Sequence, residues 1–132
     1  MGCDIHLYFE KRNEEGKWEK LEISEFLVPE DRNYALFGQL AGIRGYPDEG
    51  EPWFQERGLP DDYSANKYLG DYGITYATVG EILNCPWERD ELELCYFCIF
   101  FHHVLCRLVN NGLGIYKKDQ KENIRVIMGF DS

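Results

Sequence analysis

Apolar and polar residues alternate strictly through positions 3–10. Cys3, Ile5, Leu7 and Phe9 fall to one side, and Asp4, His6, Tyr8 and Glu10 to the other. A period of two marks a strand with one face toward a core. Asn13-Glu14-Glu15-Gly16 supplies a turn, and Lys17 to Ile23 returns as the second arm of a hairpin. Asp31 or Asn33 can cap a short helix through Leu40, which Gly42 ends. Further along, Ser64 is placed to cap a helical turn through Leu69, stopped by Gly70, and Ile74 to Thr78 reads as a short strand. Thr78 and Glu81 have the spacing of a capping box for a turn of helix through Leu83, broken by Cys85-Pro86. Asp90 to about Asn110 gives the longest helical pattern, aromatic on several faces and so expected to be buried on most of them. Asn111-Gly112 closes it, and Ile115-Tyr116 and Ile124 to Phe130 supply the last strands.

Between these elements, residues 42–63 lose all apolar periodicity. Gly42, Gly45, Pro47, Gly50, Pro52, Gly58 and Pro60 punctuate the segment, which carries Arg44 and Arg57. A long connection without regular structure inside a small domain is usually a functional or a mobile one. The element order predicts an α+β fold in a single domain over 1–132. In it, an antiparallel sheet from the N- and C-terminal strands packs against one long buried helix, with short helices and a long irregular loop.

Composition narrows the partners. The 132 residues carry 24 acids against 14 Lys and Arg, a net charge of −10. Holding phosphates requires a basic face, so direct nucleic-acid binding and anionic membranes are set aside. A basic protein surface is the natural complement, although net negative charge also serves simply to keep a small protein in solution. The five cysteines, an odd number, and an opening Met-Gly-Cys-Asp without the regions of a secretory signal predict free thiols in a reducing cytosol. The apolar stretch from Leu94 to Val109 contains His102, His103 and Arg107, and reads as a core helix rather than a bilayer span.

Three constellations could carry chemistry. Asp4 and His6, two apart on a strand, point the same way, so the acid can orient the imidazole as a base or join it on a metal. With Gly70-Asp71 they resemble the first motifs of metallophosphoesterases, but the later Gly-Asn-His element of those enzymes has no counterpart. An exposed, solvated strand face is the plainer reading. Cys95, Cys98, His102 and Cys106 form a helical stripe whose ends lie about 16 Å apart, too far for one zinc. At most a neighbouring pair such as Cys98 and His102 could ligate with help from elsewhere, and small residues packing a helix on the sheet explain the stripe as well. No metal and no cofactor is expected. Finally, Arg44, Arg57 and Arg32 suit planar anions, or else neutralise nearby acids such as Asp48, Glu49 and Glu51.

Several short motifs bear on the setting. The chain opens Met1-Gly2-Cys3-Asp4-Ile5-His6, carries Arg32-Asn33-Tyr34 with Leu36-Phe37, and continues with Leu40-Ala41-Gly42-Ile43-Arg44. It then has Arg57-Gly58-Leu59-Pro60 with Asp62, and Ile124-Arg125-Val126-Ile127 with Phe130-Asp131. In these it resembles a family of small bacteriophage and prophage proteins. The likeness touches both ends and the middle and implies a phage setting, without implying a reaction. One segment departs: where the family has Asp-x-His-Ser-x-Ser, this chain has Asp71-Tyr72-Gly73-Ile74-Thr75-Tyr76, with no histidine.

Two functional readings follow. The first, which stands ahead, is a phage-type accessory protein in the host bacterial cytosol that acts by binding. It would inhibit a bacterial defence system, such as a CRISPR effector or a nucleotide-signalled system, through its acidic surface or a small anion-binding pocket. The second is a small hydrolase, metal-dependent or not, using Asp4 and His6 with Asp71. Either way the expected binding residues are Asp4, His6, Arg44, Arg57 and Asp71, with Asp4 and His6 facing the irregular loop and an arginine reaching the same cavity. The sequence leaves oligomeric state and the identity of the target open.

Overall fold

The first and last described strands lie side by side. The computed structural model describes residues 4–21, 37, 40–42, 52–85, 103, 106 and 120–131. In it, β1 (Asp4–Arg12) pairs antiparallel with β4 (Ile124–Asp131), from Asp4 opposite Asp131 to Lys11 opposite Ile124. The short β2 (Trp18–Lys20) pairs with the far end of β1, and β3 (Tyr72–Thr78) pairs with β4 on its other side. The sheet order is β2-β1-β4-β3, antiparallel throughout.

Local chemistry builds the ends of these strands. Asn13 closes the β1–β2 hairpin, its side-chain oxygen accepting from the N–H groups of Glu15 and Lys17 at 2.9 Å each. At the end of β3, Thr78 caps α1 (Val79–Leu83) in a full capping box, its hydroxyl accepting from the Glu81 N–H while the Glu81 carboxylate accepts from the Thr78 N–H. A second short helix, α2 (Gln120–Asn123), leads directly into β4.

Because cross-strand partners share a face, the register sorts the side chains. Ile5, Leu7 and Phe9 stand opposite Phe130, Met128 and Val126 on the first face. Phe37, Leu40, Phe54, Ala77, Val79 and Ile82 complete this core, all buried. Each such side chain contributes about 1.5–3 kcal/mol, so most of the stability among the described residues lies here. On the second face stand Asp4 and Asp131, His6 and Gly129, Tyr8 and Ile127, and Glu10 and Arg125. A smaller cluster of Tyr8, Ile127 and Leu69, flanked by Tyr63, Ala65 and Tyr76, covers the middle of it.

The expected sheet packed against one long buried helix is corrected. The described residues form a four-stranded antiparallel sheet with only short helices, and the first face is filled by Phe37, Leu40, Phe54 and α1 instead. Of the 90–110 segment only His103 and Cys106 are described, the first exposed and the second half-exposed. The expected burial of the 90–110 pattern on most of its faces lies otherwise outside the described residues. The expected helical turn from Ser64 to Leu69 is also absent. Residues 63–70 run as an irregular strap across the second face, where Ser64 donates its N–H to the Glu10 carboxylate at 2.8 Å. The expected strand at Ile115-Tyr116, the first expected helix apart from Phe37, Leu40 and Ala41, and most of the cysteine stripe lie outside the described residues.

Candidate functional site

The polar residues of the second face form two groups, one toward each end of the β1–β4 pair. At the end where β1 begins and β4 finishes, Asp4 and His6 point to the same side, as their spacing dictates. His6 Nε2 lies 2.6 Å from Asp131 Oδ2, one step diagonally across the ladder, and both side chains are partly exposed. The ring of Tyr68 sits against His6 with centroids 5.9 Å apart, and the Tyr68 hydroxyl donates to Asp71 Oδ1 at 2.5 Å. Four titratable groups, His6, Asp131, Tyr68 and Asp71, thus follow one another along the surface, with Asp4 opposite Asp131 in the ladder.

Glycines make this arrangement possible. The strap passes so close to β4 that a Cβ on Gly129 would lie 1.8 Å from the Leu69 carbonyl oxygen. Gly70, at φ +97°, is equally tight: a Cβ there would lie 2.3 Å from the Phe130 carbonyl oxygen. The Asp71 N–H then donates to that same carbonyl at 2.8 Å, fixing Asp71 beside the end of β4. Because Gly129 and Gly70 carry no side chain where the strap crosses β4, the two backbones can touch, which sets Tyr68 beside His6 and Asp71 beside Phe130.

The hydrogen bond to Asp71, with some burial and the charges of Asp71 and Asp131, pushes the Tyr68 hydroxyl up to about 12. Near neutral pH it is therefore a donor and not a nucleophile. An imidazole held by a carboxylate is equipped to move a proton or to present a hydrogen bond at a fixed angle. Among the described residues, no group of three or more His, Cys, Asp or Glu is placed to hold a metal ion.

The second group is buried. Arg125 donates through Nε to Glu10 Oε1 at 2.6 Å, and its Nη2 lies 2.6 Å from the same oxygen. Its Nη1 reaches Asp62 Oδ1 at 2.9 Å, and the guanidinium stacks 4.2 Å from the centroid of Trp18. Glu10 is fully buried and Arg125 nearly so. Alternation placed Glu10 on the polar side of β1. The strap, arriving from 54 residues away, together with Trp18 turns that side into an interior.

Of the residues expected in one cavity, Asp4, His6 and Asp71 lie toward the same end of the sheet. Arg57 is engaged elsewhere. It donates to Glu81 Oε2 at 3.1 Å and to the Tyr76 carbonyl at 2.9 Å, and lies against the rings of Phe54 and Tyr76. The hydrogen bond to Glu81 raises the Arg57 guanidinium further above its ordinary value, and the same bond holds the Glu81 carboxyl below the usual carboxylate range. Arg44 and Arg32 lie outside the described residues. Sequence reading missed Asp131, Tyr68, Glu10, Arg125 and Asp62 as site residues. Asp131 carried a usable signal, because antiparallel pairing of the two ends brings the last residue of β4 opposite the first of β1.

Cys85 is free and half-buried, its Sγ directed at the Glu81 carbonyl, and burial together with Glu81 pushes the thiol up to about 11. Among the described residues, no helix is long and apolar enough to cross a membrane.

Comparison with known proteins adds no identity. No protein-family description matches the chain, and no curated protein and no solved structure matches it either.

Proposed function

We propose that this protein acts by binding, as a phage-type accessory protein that inhibits a bacterial defence system, such as a CRISPR effector or a nucleotide-signalled system, in the host cytosol. The surface that serves is the acidic one. The observation that supports this is the use already made of Arg57 and Arg125: Glu81 takes one, and Glu10 with Asp62 takes the other. Neither is left for an anionic ligand, whereas Glu56, Asp61 and Asp71 face solvent. Within a chain of net charge −10, this favours a basic protein surface over a small anion as the partner.

The test is the efficiency with which phage plates on bacteria that carry a defined defence system and express this chain. Expression should restore plating, and binding to the purified effector should weaken as salt is raised. A variant with Glu56→Gln, Asp61→Asn and Asp71→Asn should lose most of that binding while staying folded. Undiminished inhibition by this variant, or no inhibition by the unaltered chain across such systems, sinks the proposal.

A second reading, a small hydrolase, is favoured by one contact: Asp131 holds His6 as a carboxylate holds a general base. It expects turnover of a phosphoester that His6→Ala and Asp131→Asn both reduce.

A further inference from the structure

The strap over the second face is fastened unevenly. Backbone-to-backbone bonds to β3 and β4 lie at its ends, from the Gly58 N–H to the Ile74 carbonyl and from the Asp71 N–H to the Phe130 carbonyl, each 2.8 Å. Between these ends, polar side chains make the attachments: Asp62 on Arg125, Glu10 on the Ser64 N–H, and the Lys67 ammonium on the Leu7 carbonyl at 3.5 Å.

The two ends also differ in steric freedom. At the Gly70 end, Leu69 is buried and the backbone is wedged between Gly129 and Phe130. At the Gly58 end, a Cβ would meet nothing within 4 Å, and Asp61, Asp62, Ser64, Asn66 and Lys67 are exposed. Underneath lie Tyr8 and Ile127, which pack against Tyr63 and Ala65 of the strap, and the charged pair of Glu10 and Arg125. Returning the buried pair to water recovers solvation that its burial forfeits, which lowers the cost of opening.

We propose that residues 61–67 form a latched cover that opens as a unit, hinged at Gly70, while the four-stranded sheet stays intact, and that Asp62 on Arg125 is the latch. Opening uncovers the Glu10 carboxylate, the Arg125 guanidinium and the Tyr8 hydroxyl together. Local openings of this kind are expected where side chains, rather than a ladder, hold the backbone.

Native-state hydrogen exchange of the full chain tests this without knowledge of any partner. The Ser64 amide, protected by buried Glu10, should exchange well ahead of the β1–β4 ladder amides of Leu7 and Ile127, with little dependence on added denaturant. Asp62→Asn, at a side chain that is 62% exposed and outside the core, should speed Ser64 exchange by about threefold and leave the ladder amides unchanged. Exchange of Ser64 and the ladder at one common rate in the unaltered chain overturns the proposal. So does an Asp62→Asn variant in which Ser64 is unaffected, or in which Ser64 and the ladder speed up by the same factor.

Discussion

Arg125 meets two carboxylates in different surroundings. Glu10 lies at full burial on the neighbouring strand, while the Asp62 side chain is mostly in water. A buried charge is tolerated only with its partner, so Arg125→Ala, which strands Glu10, should cost about 3–5 kcal/mol. Asp62→Ala, screened by solvent, should cost about 1 kcal/mol or less. Urea unfolding reads both, and equal costs would mean that the pair is not buried in solution. Tyr68 gives a separate reading of the other polar group. Its pKa is raised from 10.0 to about 12, first of all by the bond to Asp71. The stability this contact contributes is therefore complete below pH 10.0 and is lost as pH climbs through about 12. The phenolate absorbance lost on Tyr68→Phe should titrate near the upper value, and Asp71→Asn should bring it back toward the lower one. A Tyr68 titration indifferent to Asp71 would refute the contact.

Elements here are shaped by what crosses them. The β4 strand is buried along nearly its whole length because the core lies on one side and the strap on the other, so its sequence, Ile-Arg-Val-Ile-Met-Gly-Phe-Asp, does not alternate as β1 does. The β3 strand carries a bulge, with Tyr72 opposite Phe130 but Thr75 opposite Met128, and Gly73 takes the positive φ of 66° that the extra residue needs. The crossing at Gly129 allows a sharp test. Gly129→Ala puts a methyl group into the Leu69 carbonyl, which is backbone on a packed segment and cannot rotate aside, so the cost should be about 3 kcal/mol or more. Gly16→Ala is the control. With nothing within 4 Å, it carries only the strain of its φ of 82°, about 1–2 kcal/mol. Thermal unfolding that ranks the two the other way would show that the strap does not lie on β4.

For the whole molecule, the division between what is local and what is distant explains how far the chain could be read unaided. Strict alternation made β1 legible, Asn13 to Gly16 made the hairpin legible, and Thr78 with Glu81 made the cap of α1 legible. In each case the partners lie within a few residues, so the chemistry of the contact is written in the spacing. The same alternation put Asp4 and His6 on one side of their strand, and an excess of ten negative charges is a property of composition alone. Tertiary structure decided the rest. Asp131 joins His6 across 125 positions, Arg125 joins Glu10 across 115, and Arg57 is drawn to Glu81 rather than to the His6 end. The strap, read from Ser64 and Gly70 as a helical turn, is held instead by a carboxylate on β1 and a guanidinium on β4. Local propensity is worth tenths of a kcal/mol per residue, and a charged hydrogen bond from a distant strand outweighs it. Whether a polar strand face meets water or becomes an interior is settled by the segment that covers it, and no pattern within the strand itself encodes that.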